Sequence, residues 1–188
     1  MRKQWDTTKK LYTLCVLAED APGMLSQVAR LFSRKGYNIE SIVTGATDRP
    51  HTARLSINII ADELVVNQLA TQCRRILGVQ AVKILNEDTC VRREIALIKV
   101  RAADHGSRDE IIQLANIFRG HIMDVDRESL TVWVFGTQSK NEALIQMLED
   151  FGILEIAKTG TIAIERGRST IYDESKLKEE YEYGKNVL

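Results

Sequence analysis

The chain has 188 residues, enough for one large domain or two small ones, either of which can bury a core without disulfide or metal staples. Its 26 basic and 26 acidic side chains cancel, so no overall field draws it to nucleic acid or an anionic membrane, and partners must be recognised locally. The 3 cysteines, Cys15, Cys73 and Cys90, lack CxxC or metal-ligand spacing and read as reduced residues of a cytoplasmic protein, two of them in apolar core patterns. No apolar run approaches membrane-spanning length, and Met1-Arg2-Lys3-Gln4-Trp5-Asp6 lacks an apolar export segment.

Residues 1–10 are polar and read as a flexible N-terminus; residues 11–18 form a first strand. Asp20-Ala21-Pro22-Gly23-Met24-Leu25 then opens a helix at Ala21 or Pro22, because proline's fixed φ suits a first turn whose N–H groups lack partners. Leu25, Val28, Ala29 and Phe32 follow at helical spacing and face a core, and Lys35-Gly36 ends the helix with a cation and a left-handed cap. Without a Cβ at Gly23, a small molecule can approach the free amides of Gly23, Met24 and Leu25, which makes this helix start a candidate carboxylate cradle. An ordinary strand-to-helix connection also accounts for Pro22, Gly36 and the stripe. The polar side chains Asp20 and Asn38 at the two helix ends, where a core element needs neither, favour the cradle.

A second strand is expected over 38–47 and a turn at Asp48-Arg49-Pro50-His51. A half-buried third strand over 52–60 carries Ala53, Leu55, Ile57 and Ile59 on one face and Arg54, Ser56 and Asn58 on the other. Asp62 caps a second helix with a stripe of Val66, Leu69, Ala70, Cys73 and Leu77, stopped by Gly78, and residues 79–85 form a fourth strand. Polar Asn86-Glu87-Asp88-Thr89 marks a domain boundary.

The same order then recurs. Residues 95–100 form a strand, Ser107-Arg108-Asp109-Glu110 reads as a capping box, and Ile111, Leu114, Ala115 and Phe118 make the stripe of its helix. Strands over 121–126 and 130–135 follow, then a second capping box at Ser139-Lys140-Asn141-Glu142, a stripe of Leu144, Met147, Leu148 and Phe151, and a last strand over 153–164 interrupted at Gly160. Two copies of βαββαβ, offset by roughly 80 residues, predict an α+β chain of two ferredoxin-like domains, each an antiparallel sheet with two helices on one face. The domains are expected at 11–86 and 92–167, with a charged tail over 168–188 whose run Lys176-Leu177-Lys178-Glu179-Glu180-Tyr181 reads as an exposed helix. The other face of each sheet should be bare and available for contacts, with Ile42, Leu55 and Ile57 as apolar candidates.

Catalytic chemistry finds no footing. His51, His105 and His121 lie far apart in turns or at a strand start, and no nucleophile elbow, Walker loop or G-x-G-x-x-G is present. The triad-like Asp104-His105 beside Ser107 is explained by capping.

Four motifs carry a resemblance: Asp20-Ala21-Pro22-Gly23-Met24-Leu25-Ser26; Leu31-Phe32-Ser33-Arg34-Lys35-Gly36-Tyr37-Asn38-Ile39-Glu40-Ser41; Arg93-Glu94-Ile95-Ala96-Leu97-Ile98-Lys99-Val100; and Ile117-Phe118-Arg119-Gly120-His121-Ile122-Met123-Asp124-Val125. On these, the chain resembles the small, regulatory subunits of acetolactate synthase (acetohydroxyacid synthase), whose N-terminal half is an ACT domain. The resemblance implies a non-catalytic subunit that binds and activates the large catalytic subunit. It further implies feedback inhibition by a branched-chain amino acid, usually valine, bound between the ACT domains of a homodimer. Thiamine diphosphate, magnesium and FAD would belong to the large subunit. Carried onto matching positions, the effector's ammonium would meet Asp20, its carboxylate the amides of Gly23, Met24 and Leu25, and its remaining contacts Asn38 and Ile39 of the other protomer. A free-standing tandem ACT amino-acid sensor acting on another enzyme or regulator is the alternative. An RNA-binding module on the same fold needs an aromatic strand motif, which Ala53-Arg54-Leu55-Ser56-Ile57-Asn58-Ile59 lacks.

Overall fold

A computed structural model describes residues 9–174, so the expectations for the first eight residues and for the charged run from Lys176 lie outside the described residues. The chain divides into two compact units, Met1–Val91 with Ala163–Leu188, and Arg92–Ile162. The first unit runs β1 (Lys10–Glu19), α1 (Met24–Arg34), β2 (Ser41–Ala46), β3 (Thr52–Ala61), α2 (Glu63–Cys73) and β4 (Val79–Leu85), in an antiparallel sheet of order β2-β3-β1-β4. The chain then enters β5 (Cys90–Arg101), α3 (His105–Ile117), β6 (His121–Val125), β7 (Ser129–Gly136), α4 (Gln138–Glu149), β8 (Ile153–Lys158) and β9 (Ile162–Glu165), and the second unit's sheet follows the order β6-β7-β5-β8. The α+β class and the doubled βαββαβ order are as expected. The last strand is two, because Thr159-Gly160-Thr161 separates β8 from β9.

Strand register decides which residues the helices of the first unit cover. Leu14 stands opposite Ile57, Val16 opposite Leu55, and Ile42 opposite Ile57 on the other side, so all of these share one face. Met24, Val28 and Phe32 of α1, together with Val66, Leu69, Ala70 and Cys73 of α2, pack onto that face as one core. Leu55 and Ile57 are therefore 1% and 0% exposed beneath the helices and are not open-face residues. Leu77, placed by its spacing on the α2 stripe, is 91% exposed, because α2 ends at Cys73 and the chain turns to Gly78. Burial pushes the Cys73 thiol up to about 12.

The opposite face is not bare. Cys15, Leu17, Ala81 and Leu85 form a second apolar cluster with Cys90, Ala163 and Ile171, so residues 163–174 belong to the first unit rather than to the second unit or a free tail. Arg54 Nη2 donates to Ala163 O at 2.6 Å, and Lys83 Nζ pairs with Glu165 Oε2 at 2.5 Å with both side chains less than one fifth exposed. Further along this face Thr13 Oγ1 donates to Asn58 Oδ1 at 2.6 Å and Asn58 Nδ2 to Ser41 Oγ at 2.7 Å. The alternation in β3 thus marks two buried faces, one apolar and one hydrogen-bonded, and not a half-solvated strand.

In the second unit α3 packs Ile111 and Ala115, and α4 packs Leu144, Ile145 and Leu148, against Ala96, Ile98, Val132 and Val134. Met147, expected on the α4 stripe, is 55% exposed. Phe32 is a fully enclosed aromatic of the first core. Phe32→Ala should cost about 3–5 kcal/mol, read as a fall in the urea midpoint at unchanged m-value.

Candidate functional site

The helix start at α1 differs from the expected one in a way that matters chemically. Pro22 and Gly23 occupy the two central positions of a type II turn, Gly23 at φ 89° and ψ −9°, closed by the Met24 N–H donating to Ala21 O at 3.2 Å. Proline's φ serves the turn, and the positive φ that follows is the one glycine accepts without strain. The helix therefore begins at Met24 and not at Ala21 or Pro22. Its core stripe becomes Met24, Val28 and Phe32, while Leu25 points outward at 42% exposure.

This shift redistributes the free donors. The Met24 amide is spent on the turn, Gln27 N–H donates to Gly23 O, and the amides of Gly23, Leu25 and Ser26 have no acceptor among the described residues. No side chain caps α1, and its first turn holds no acidic residue. A Cβ built on Gly23 would meet nothing within 4 Å, so the approach to these amides is open. The donor trio is thus Gly23, Leu25 and Ser26; Ser26 escaped the sequence reading because its exposure as a donor depends on treating Pro-Gly as a turn.

Asp20 is exposed at the entrance to this turn, and its own N–H donates to His51 O at 2.9 Å, tying the loop to the β2–β3 hairpin. Asn38 and Ile39 lie in the connection before β2, which begins at Ser41 rather than at 38. Asn38 is exposed and donates to Glu40 Oε1 at 3.2 Å, whereas Ile39 is partly buried against the core. α1, with 11 residues, stands between the two groups. At about 1.5 Å per residue it sets them roughly 16 Å apart, so a single copy brings Asp20, Gly23, Met24 and Leu25 together but not Asn38 and Ile39 with them.

The other helix starts provide the contrast. α3 is capped by Asp104, whose Oδ1 accepts from the Ser107 N–H at 2.9 Å while Ser107 Oγ donates to Oδ2, also at 2.9 Å. α4 is capped by Thr137, whose Oγ1 accepts from the Lys140 N–H at 3.3 Å. Ser107 and Ser139 are therefore residues within their helices and not N-caps, because Asp104 and Thr137 supply the oxygen earlier in the chain. Asp62 flanks α2 without a side-chain cap, although Glu63 puts a carboxylate in its first turn. Among the described α-helices, only α1 starts with neither a capping side chain nor an acidic residue in its first turn.

Among the described residues no three His, Cys, Asp or Glu side chains are grouped as metal ligands, and no helix is long and apolar enough to cross a membrane. His121 stacks on Trp133 with ring centroids 5.3 Å apart.

Comparison with known proteins assigns both units. A model described as an AHAS small subunit-like ACT domain matches residues 14–81, and one described as the small subunit of acetolactate synthase matches residues 93–167. The acetolactate synthase small subunit of Mycobacterium bovis is 44% identical over 158 residues, covering 84% of this chain and 94% of that protein. The chain belongs to the acetolactate synthase small-subunit family. A probable acetolactate synthase small subunit of Methanothermobacter thermautotrophicus is 41% identical over 160 residues, 85% of this chain and 95% of that one. The crystal structure of the small subunit from Thermotoga maritima matches with a TM-score of 0.78 at 36% identity, over 85% of this chain and 99% of that chain. The candidate residues Asp20 to Ser26 and Asn38-Ile39 thus fall within the stretch matched by the ACT-domain model.

The α3 cap carries a pH signature. The Ser107 N–H and O–H hold the Asp104 carboxyl below its ordinary value, so its contribution to stability is present above the unfolded-state value and is lost as the pH falls through the folded one. The melting-temperature gap between the wild-type chain and Asp104→Ala should be full at pH 7 and close on acidification below about pH 4.

Proposed function

We propose that this chain is the non-catalytic regulatory subunit of acetolactate synthase: it binds and activates the large catalytic subunit and makes it sensitive to a branched-chain amino acid, valine, bound between two ACT domains. The observation that carries this reading is the set of unpaired amides at the start of α1 in a chain of the small-subunit family. Helix-terminal N–H groups and the positive end of the helix dipole favour an anion, and an α-carboxylate can accept from the amides left without an acceptor there. Asp20, exposed at the rim, supplies the opposite charge for the ammonium.

Affinity explains why one copy is insufficient. A metabolite sensor working between about 10 μM and 1 mM needs roughly 4–7 kcal/mol from a ligand of very few heavy atoms, close to about 1 kcal/mol per atom. Both charges must be paired and the aliphatic side chain must leave water, which an exposed turn cannot achieve alone. Asn38 and Ile39 stand at the far end of α1 in the same chain, so their contribution must come from a second protomer. Among the described strands β2 lies at the edge of its sheet, and an edge strand can pair with a symmetric neighbour. Closing a dimer over the ligand couples occupancy to the surface offered to the catalytic subunit. In this reading thiamine diphosphate, magnesium and FAD act on that larger chain, and this chain contributes no catalytic residue.

Calorimetry of the purified chain with valine, leucine and isoleucine should give heat with at least one of them. Gly23→Asp should abolish it by placing a carboxylate among the free amides. The fold should survive, because the site is open and aspartate is among the residues most tolerant of positive φ. Co-purification with a thiamine-dependent large subunit checks the partner; a chain that binds the amino acid yet never retains that subunit is the free-standing ACT sensor instead.

A further inference from the structure

The segment that returns to the first unit after Ile162 reaches the hairpin that holds the Asp20 loop. Tyr172 OH donates to Asp48 Oδ1, and the guanidinium carbon of Arg49 stands 3.8 Å over the centre of the Tyr172 ring. Asp48 and Arg49 sit in a braced turn: Thr47 N–H donates to Thr52 O at 3.1 Å, Arg49 N–H to Thr47 Oγ1 at 3.1 Å, and Thr52 Oγ1 to Pro50 O at 3.2 Å. His51 closes that turn at φ 55°, and its carbonyl accepts the Asp20 N–H. Three links therefore run from Tyr172 through the hairpin to the loop that carries Asp20 and the free amides. All lie in the first unit.

The return segment is fastened at both of its described ends. Arg54 and Lys83 fasten Ala163 and Glu165, whereas beyond Gly167 the chain covers a cavity of about 250 Å³ lined by Cys15, Arg54, Lys83, Leu85, Ile171 and Tyr172. Its distal part is fastened by the buried Ile171 side chain, by Lys83 Nζ donating to Thr170 O at 3.3 Å and by the Tyr172 contacts, and of these only the Tyr172 contacts reach the hairpin turn at Asp48 and Arg49. Residues 168–174 also lie past the part of the chain matched by the small-subunit model, so this fastening is not among the features that define the family match.

We propose that residues 163–174 form a regulatory strap whose Tyr172 latch on Asp48 and Arg49 positions the Asp20 loop, so that strap docking and effector binding at the α1 start are coupled. The coupling to effector rests on the function proposed above; the positioning of the loop does not. Tyr172 is a positioning residue that acts through the hairpin and does not touch the ligand. Reciprocity requires that an effector which favours the docked strap also be favoured by it.

Amide hydrogen exchange on the full chain without ligand tests the latch. Tyr172→Phe keeps the ring over Arg49 and loses the hydroxyl, and Tyr172→Ala loses both. Exchange at Asp20 should quicken by about fivefold in the first variant and further in the second, while the α2 amides of the same unit stay at wild-type rates. Unchanged exchange at Asp20, or equal acceleration across α2, overturns the proposal, the latter because it reports general loosening. With L-valine as probe, the wild-type chain should gain protection over residues 163–174, and Tyr172→Phe should bind valine several-fold more weakly. A wild-type chain that takes up valine with neither effect overturns the coupling. A wild-type chain that binds no branched-chain amino acid refutes the effector reading, and the ligand-free exchange still decides the latch.

Discussion

A helix cannot satisfy the N–H groups of its own first turn, and the fate of those donors organises this molecule. At α3 and α4 the protein answers with its own oxygens, from Asp104 and Thr137. At α1 it spends Met24 on a type II turn and leaves Gly23, Leu25 and Ser26 open toward solvent. The two units share one topology, so the difference cannot come from the fold. It comes from Pro22-Gly23 in one loop and Asp104-His105-Gly106-Ser107 in the other.

The doubled βαββαβ order was legible because apolar spacing switches between the strand and helix periods at matching places in both halves. The helix starts were less so. Proline followed by glycine is compatible with a first helical turn and with a type II turn, and only the closing bond from Met24 to Ala21 separates them. That ambiguity exchanged Leu25 for Met24 in the core and hid Ser26 as a donor. The capping boxes misled for a related reason: Ser107 and Ser139 had the right neighbours, but a better acceptor stood three or two residues earlier. Asp20, Gly23 and Leu25 could be chosen from local chemistry, whereas the separation of Asn38 and Ile39 from them follows only from the length of α1 once its start is fixed.

The covered face of the first sheet was illegible for a physical reason. Alternation in β3 says that Arg54, Ser56 and Asn58 share a face, and polar residues on a strand ordinarily mean solvent. Here they form a hydrogen-bonded layer with Thr13 and Ser41, and Arg54 reaches the carbonyl of Ala163. Cys15 lies in the same layer, its thiol pushed up by burial and offset in part by Arg54. No local pattern announces a contact made by residues more than one hundred positions downstream.

Because the first unit draws on both Met1–Val91 and Ala163–Leu188, the second unit is an insertion within it. The ribosome therefore delivers the four-stranded sheet first and the segment that shelters Leu17, Ala81 and Leu85 much later. At typical synthesis rates the delay between Val91 and Ala163 is roughly 4 to 14 s, far longer than strands and helices need to form. For that interval the nascent chain displays an uncovered apolar surface, and whatever meets it at the exit tunnel competes with residues 163–174.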